Sequence, residues 1–548
     1  MPARRGREAF GTAAPDLDLG SPSARRTRAP RLPAWTPYLL AVLFALLSLR
    51  GLESRNIVDT DAARHAMNGA FVHDLLLSGR IAHPIAYGKE YYGRLPALSM
   101  PYHPPLFPAI EALFYFVFGV NLLAARLAVA LAVAVCTVLL YRLFAATHHS
   151  DVLALCATVT VLSLWNSQLV ATDVMLEFPA MAFALAALYC LRDAGREYPL
   201  DRALLFATLG AAAVWTKQFA VFLLAVPPLY FLATGRWRLL FSRNFWISTV
   251  LFALAVKALM SLSAPFNRTG VDQAPLTPTS IWLAFQGNLN YYGPTLAHEI
   301  LGWPGLFALG TAALLALSIR SGAWRGLKIE LYLAWMVAIG AVLMAVGPHT
   351  ERYLFFIFPP AVVAAYAVVL RGSELLAGPA RAWRIPVAMA AAWFIAGWWF
   401  HPEFLRGPAE AASVVVRPAS QRVLYGGDAD GNFIFAVRAL DPRLQTTVIP
   451  AQKLATEVFP AAAFENFCRR YAINWVVLED TGKPQKWSEL MAGPAPSMRL
   501  ERVLALNSSR PRWRGHLRIY RFTSAAARPE PGLVLPVEKI QSAIEVHP

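Results

Sequence analysis

Apolar stretches of about 15 to 24 residues recur along the chain, each near the roughly 20 that a helix needs to cross the hydrocarbon of a bilayer. They fall near residues 35–50, 122–145, 152–168, 174–192, 203–216, 219–234, 244–263, 303–319, 330–347, 352–371 and 384–400. Many are rich in Ala and Leu and lack strand-like alternation, which argues against a β-barrel. The 548 residues are 57% hydrophobic and 15% charged, with a mean hydropathy of +0.44, more apolar sequence than one soluble core hides. These features predict an α-helical polytopic membrane protein of about 11 transmembrane helices plus outer-face juxtamembrane helices, with a small C-terminal α/β soluble domain. Its direct partner is then the lipid bilayer.

The net charge of +16 would suggest nucleic acid in a soluble protein. Here the basic residues sit mainly in short loops between spans, with no basic stripe interleaved with aromatics, so no nucleic-acid partner is expected. Cys136, Cys156 and Cys190 fall inside predicted spans and Cys468 stands alone, which gives neither a disulfide framework nor a metal site. No cofactor is expected.

Residues 1–33 read as a disordered, basic cytoplasmic arm that holds the first span with its N-terminus inside. The apolar segment 104–119 is short, opens on a Pro pair and contains Glu111. If it does not span, the later loops carrying Arg196, Arg236, Arg320 and Arg371 all face the cytoplasm; if it spans, they all face outward, against the positive-inside tendency. It is therefore read as an interfacial or re-entrant helix in the first outer loop, 51–121. The expected module, 34–404, lies in the inner (cytoplasmic) membrane, with an outer loop at 264–302 and the C-terminal domain outside. That topology brings Asp59, Asp61, the loop from Lys89 to His103, Asp173, Lys217, His349, Glu351 and Arg352 to one face. Ionisable groups at membrane depth are costly and usually face a cavity or one another.

Residues 61–77 show a polar stripe of Asp61, Arg64, His65 and Asn68, with Met67, Phe71 and Leu75 recurring at four-residue spacing on another face, which predicts an amphipathic helix along the outer surface. Asp59 or Thr60 suits its N-cap, and Asp61 its positive end.

The order of motifs resembles that of the type-C glycosyltransferases that use polyprenyl-phosphate sugars, especially the protein O-mannosyltransferase and lipid A aminoarabinose transferase group. Asp61-Ala62-Ala63-Arg64-His65-Ala66 fits the Asp-x-x-Arg-x-Ala element that follows the first span in that group. Pro104-Pro105-Leu106, Gly119-Val120, Ala124-Ala125-Arg126-Leu127, Ala171-Thr172-Asp173, Thr216-Lys217 and Glu351-Arg352-Tyr353-Leu354 follow in the same order. The match covers roughly residues 35–370. Two positions depart: the acidic residue that often follows the first Asp is Ala62, and the Gly-Pro after the Thr-Lys pair is Gln218-Phe219.

The resemblance implies sugar transfer from a polyprenyl-phosphate donor to an acceptor hydroxyl or phosphate at the outer, periplasmic face, with inversion. The acceptor is a protein, lipid or glycan. Such transfer needs a base for the acceptor proton and cations for the departing phosphate. Asp61 is the expected base, since the motif falls on it rather than on Asp59. Asp173 is a second catalytic candidate, alternatively a polar cap for the helix it precedes, and Glu177 lies one turn beyond it. Lys217, Arg352, Lys89 and Arg94 are the candidate phosphate cations. Lys217 and Arg352 read equally as side chains snorkelling from helix ends, and Lys89 and Arg94 as solvated loop charges. Arg64, His65, His103, His349, Glu351 and Tyr353 complete the possible substrate contacts, with structural roles the plainer reading for the histidines.

After about residue 405 the composition becomes that of a soluble domain, 405–523, followed by a flexible tail, 524–548. Val423-Leu424-Tyr425, Trp475 to Leu478 and Leu517 to Phe522 read as strands and Phe464 to Tyr471 as helix. Gly426-Gly427-Asp428-Ala429-Asp430-Gly431 lacks the spacing of a nucleotide or calcium loop and reads as a tight turn. The rival reading of the chain is a transporter or flippase for a lipid-linked or amphipathic substrate, which would place ionisable residues or broken helices near the midplane of repeated halves. No such repeat is visible. Transfer of a whole lipid-linked oligosaccharide would call for a richer carboxylate cluster.

Overall fold

The computed structural model describes residues 31–52, 57–192, 197–264, 278–296, 327–345, 350–378, 380–523, 533–537 and 540–546. The helices are α1 (Thr36–Ser48), α2 (Thr60–Leu77), α3 (Pro84–Arg94), α4 (Leu106–Phe118), α5 (Leu122–His148), α6 (Asp151–Ser163), α7 (Trp165–Ala171), α8 (Glu177–Arg192), α9 (Leu200–Thr216), α10 (Val226–Ala233), α11 (Arg243–Ser263), α12 (Pro278–Leu296), α13 (Glu330–Ala345), α14 (Phe358–Ala377) and α15 (Arg384–Trp398). Among the described residues, Leu122–His148, Arg243–Ser263 and Glu351–Glu374 are long and apolar enough to cross a membrane. The pair α6 and α7 passes the same test only together, bent by 67°, and five shorter apolar helices accompany them. Two expected spans begin as 3-10 turns, Gln218–Leu224 and Glu351–Ile357, where the following Pro227-Pro228 and Pro359-Pro360 lack the N–H that a regular ladder needs. The arm at 1–30, the span expected at 303–319 and His349 lie outside the described residues.

Close helix contact relies on small residues, as is common in membrane bundles. A Cβ on Gly397 of α15 would stand 2.7 Å from the Ser163 carbonyl at the end of α6. Buried Arg126 of α5 donates to the carbonyls of Ser48 (2.5 Å) and Arg50 (2.9 Å), so a cation satisfies the open end of α1.

The helix expected on the outer surface is instead buried on most of its faces. Asp59 caps α2 by accepting from Asp61 N at 2.9 Å. Ala62, Ala63, His65, Ala66, Met67, Asn68, Gly69, Ala70, Phe71, His73, Asp74 and Leu75 are all buried. One side packs on α4, where Gly69 makes room for the Glu111 carboxyl: a Cβ there would lie 2.3 Å from Glu111 Oε2. Tyr115 Oη sits 3.0 Å from Glu111 Oε1 and 3.1 Å from the Ala66 carbonyl, so the acidic residue of α4 is a packing group. At 13 residues α4 is shorter than a span. The other side of α2 is covered by a second domain, which no periodicity within 61–77 reveals.

That domain is a six-stranded sheet: β1 (Leu405–Arg406), β2 (Gln421–Gly426), β3 (Thr446–Pro450), β4 (Trp475–Asp480), β5 (Met498–Ser508) and β6 (Gly515–Phe522), in the order β1-β5-β6-β4-β2-β3. β2 runs parallel to β3 and β4, while β6 is antiparallel to β4 and β5. The strands expected from the sequence coincide with β2, β4 and β6. The glycine turn after β2 wraps the buried Glu479 carboxylate, which accepts from Asp428 N (3.1 Å), Ala429 N (2.9 Å) and Tyr425 Oη (2.7 Å). Burial pushes that carboxyl up to about 7. The segment expected to be a flexible tail instead carries a hairpin, β7 (Leu533–Val537) antiparallel to β8 (Ile540–Val546), placed against α3.

Helix 430–440 lies on α2 and carries the clamp between the domains. Arg438 donates from Nε (2.7 Å) and Nη2 (2.5 Å) to the two oxygens of Asp74, which also accepts from Tyr91 Oη at 2.9 Å. Both ionic partners are about 95% buried. Removing one charge from such a pair leaves the other uncompensated, at a cost of about 3–5 kcal/mol. Arg438→Ala is therefore expected to lower the thermal midpoint and expose the 405–523 domain to protease; a midpoint and cleavage pattern like the wild type's would refute the clamp.

Candidate active site

The acidic turn at the start of α2 is held in place from behind. Asp173, 8% exposed, accepts from Asp59 N (2.9 Å), Val58 N (3.3 Å) and its own neighbour Val174 N (2.8 Å). Burial raises its carboxyl to about 6 against the pull of those donors. α8 begins only at Glu177, so Asp173 does not cap it; its carboxylate instead fixes the backbone of Val58 and Asp59.

Arg352, from the 3-10 turn before α14, reaches into the same turn. Its Nη2 donates to Asp61 Oδ2 at 2.8 Å, and its Nη1 stands 3.7 Å from Asp59 Oδ1. Arg64 Nη1 stands 3.8 Å from Asp61 Oδ1. Burial would raise the Asp61 carboxyl, but the charge and hydrogen bond of Arg352, helped by His65 and His103, hold it well below the usual carboxylate range. The Asp61 side chain keeps 31% of its surface open.

Next to this pair, Lys217 Nζ donates to Glu177 Oε1 at 2.6 Å and lies 5.7 Å from the ring centre of Tyr353, which stacks on Phe219 at 4.8 Å. Glu177 is fully buried, so it joins Lys217 rather than Asp173. Gln218, at the position where the sequence departs from the motif, donates to the Tyr102 carbonyl at 2.8 Å and ties this turn to the loop before α4. His65 and His103 pack edge to face, 4.6 Å between ring centres. Burial pulls the His65 ring down to about 3, against the charge of Asp61.

Other sequence candidates lie elsewhere. Lys89 is exposed on α3, and Arg94 donates to the Leu444 carbonyl at 2.9 Å, joining the two domains. Glu351 is exposed at the rim. Part of the outer loop expected at 264–302 is helical, α12, from which Tyr291 reaches the site and Asn288 donates to the Met344 carbonyl at 2.8 Å.

Two groups were not singled out in the sequence. Arg510, from the C-terminal domain, donates from Nη1 to Asp59 Oδ2 at 3.3 Å and from Nη2 to Glu403 Oε2 at 2.6 Å. Glu403 lies in the linker after α15. No local signal marks either, because Arg510 meets Asp59 across 451 positions of chain. A cavity of about 240 Å³ lies against Asp59, Asp173, Glu351, Arg352, Glu403 and Arg510. Separately, an apolar groove of about 430 Å³ runs between α4 and α9, lined by Pro105, Leu106, Ala109, Ala211, Ala212 and Trp215. Trp215 stands two positions before Lys217 in the chain. Among the described residues, no group of three His, Cys, Asp or Glu side chains is arranged to hold a metal ion.

The neutral state of buried His65 sets a pH dependence. An unfolded chain takes up this proton near 6.5, whereas the folded one resists it down to about 3, so stability is lost as the pH falls through that window. His65→Gln is expected to flatten thermal unfolding between pH 6.5 and 4 relative to wild type; parallel curves for the two proteins would contradict a buried neutral ring.

Residues 102–261 match the family described as dolichyl-phosphate-mannose-protein mannosyltransferase. No curated protein matches the sequence. ArnT from Cupriavidus metallidurans, in the crystal structure bound to undecaprenyl phosphate, superposes with a TM-score of 0.53 at 15% identity over 91% of this chain and 100% of that one. The apo structure of the same protein gives 0.53 and 15% over 90% and 98%. In sequence over 102–261 and in fold over nine-tenths of its length, the chain resembles the polytopic type-C glycosyltransferases.

Proposed function

We propose that the protein is a membrane glycosyltransferase that moves a sugar from a polyprenyl-phosphate donor to an acceptor at the outer face of the inner membrane, with inversion at the anomeric carbon. About eleven spans, with the N-terminus inside and the C-terminal domain outside, complete this reading. The observation that carries it is the contact between an open carboxylate, Asp61, and a fixed guanidinium, Arg352, at 2.8 Å. An acid-base group and an anion-stabilising group are thus adjacent before substrate arrives. The apolar groove between α4 and α9 suits an isoprenoid tail, and the undecaprenyl phosphate named in the ArnT structure is a ligand of that class.

In the proposed step, Asp61 takes the proton of the acceptor hydroxyl while its oxygen bonds to the anomeric carbon. The bond from that carbon to the phosphate oxygen breaks, and its electron pair leaves with polyprenyl phosphate. Arg352 and Lys217 meet the negative charge that gathers there. Asp61 in the resting pair is a weak base, because Arg352 stabilises its ionised form. A phosphate drawing on Arg352 weakens that contact and makes Asp61 more basic, so donor binding prepares the proton acceptor.

Purified protein given a panel of radiolabelled polyprenyl-phosphate sugars with membrane extract should transfer at least one of them. Loss of a general base typically costs about 10²–10⁴ in rate, so Asp61→Asn should fall at least about 100-fold while remaining folded. Lys217→Met should instead weaken donor binding, raising KM for the donor. A fully active Asp61→Asn protein would remove Asp61 from the mechanism, and a wild type inert toward the whole panel would remove the donor class.

A further inference from the structure

The cavity beside Asp59 is closed by two groups that do not belong to the membrane bundle. Arg510 presents its guanidinium between Glu403, at 2.6 to 3.1 Å, and Asp59, at 3.3 Å. Its backbone is fixed from the sheet: Arg510 N donates to Ser508 Oγ at 3.1 Å, Ser508 Oγ to the Phe404 carbonyl at 2.8 Å, and Ser509 N to the same carbonyl at 3.1 Å. The guanidinium also lies 5.7 Å from the ring centre of buried Trp513. Docking of the domain has its own contacts, the Arg438–Asp74 pair, Arg94 to the Leu444 carbonyl, and Asn432 to the Ile57 carbonyl. Arg510 is therefore not needed to seat the domain, and its position at the cavity calls for another role.

The wall chemistry narrows what the cavity takes. Asp59, Asp173, Glu351 and Glu403 face Arg352 and Arg510, four carboxylates against two guanidiniums. An anionic group entering there would meet an excess of negative charge, whereas a polyol meets carboxylates that accept its hydroxyl protons and guanidiniums that donate to its oxygens. At roughly 30 Å³ per water, about 240 Å³ holds about eight waters, room for one polyhydroxyl ring and not for a lipid tail. Asp61, the proposed base, is bridged to this cavity by Arg352, which touches it on one side and Asp59 on the other.

We propose that Arg510 and Glu403 form the outer wall of an acceptor subsite, and that this subsite takes a neutral, polyhydroxylated ring, a glycan hydroxyl group in place of an anionic head group. The proposal rests on the transferase reading above. The C-terminal domain then acts as a positioning element for the acceptor as well as a cover for α2.

The test uses full-length protein in lipid nanodiscs, free of sugar-based detergent. Binding of neutral methyl hexosides and pentosides, and of their phosphorylated counterparts, is followed by saturation-transfer NMR for wild type, Arg510→Ala, Arg510→Lys and Glu403→Gln. At least one neutral glycoside should bind and should displace its phosphorylated form. Arg510→Ala should weaken it fivefold or more and Glu403→Gln measurably, with Arg510→Lys intermediate because a point charge replaces the fork. Tighter binding of the phosphorylated compounds, unchanged binding in Arg510→Ala, or no neutral glycoside bound by wild type would each overturn the proposal. Transfer from the polyprenyl-phosphate panel, measured on the same wild-type sample, judges the transferase reading separately.

Discussion

Arg352 is the group around which the polar interior is arranged. It enters from a turn that precedes α14 and contacts Asp61 and Asp59 at the start of α2, joining parts of the chain nearly 300 positions apart. Asp59 in turn meets Arg510, and Arg510 meets Glu403. The result is an alternating chain of charge, Asp61, Arg352, Asp59, Arg510, Glu403, that runs from the bundle to the C-terminal domain. Each ion is compensated by its neighbours, which is the condition under which several charges can share a partly buried site. The backbone beneath them is pinned by Asp173, so the acidic turn has little freedom to relax.

The two flanks of this charge chain differ in kind. Toward α4 and α9 lies an apolar groove lined by Pro105, Leu106, Ala211 and Trp215. Toward the C-terminal domain lies a polar cavity rich in carboxylates. A reaction between a lipid-linked group and a hydroxyl-bearing partner needs such an asymmetry, with one approach suited to hydrocarbon and the other to a hydrated ring. The pair at the centre is open enough to be reached, and fixed enough that its geometry precedes binding.

Burial of α2 links fold and site. The helix holds the acidic turn at its N-terminus and the Asp74 clamp near its C-terminus, with Gly69 pressed against Glu111 between them. A domain docked through Arg438 therefore also seats the element that presents Asp61. Small residues at the crossing allow this closeness, and a carboxyl inside α4 is tolerated because Tyr115 and the notch at Gly69 receive it.

Apolar periodicity and length were enough to read the helical bundle from the sequence, because a bilayer imposes a length on every helix that crosses it. The C-terminal strands were legible for a similar local reason, their short β-branched and aromatic runs. Motif order singled out Asp61, Asp173, Lys217 and Arg352, since each stands beside a helix end and carries its own short signature. Other features depended on tertiary contact. A 3.6-residue pattern describes one helix against its surroundings and cannot say that a domain more than 360 positions away packs on the side of α2 that carries Ala63 and Asp74, so that helix was expected on the surface. Glu177 was expected near Asp173 by helical spacing, yet the cation that reaches it is Lys217 on another helix end. Arg510 and Glu403 carry no local mark at all. Only the folding of the sheet onto α2 brings a guanidinium from the end of the chain to a carboxylate near its beginning, because ion pairs obey distance in space and not spacing in sequence.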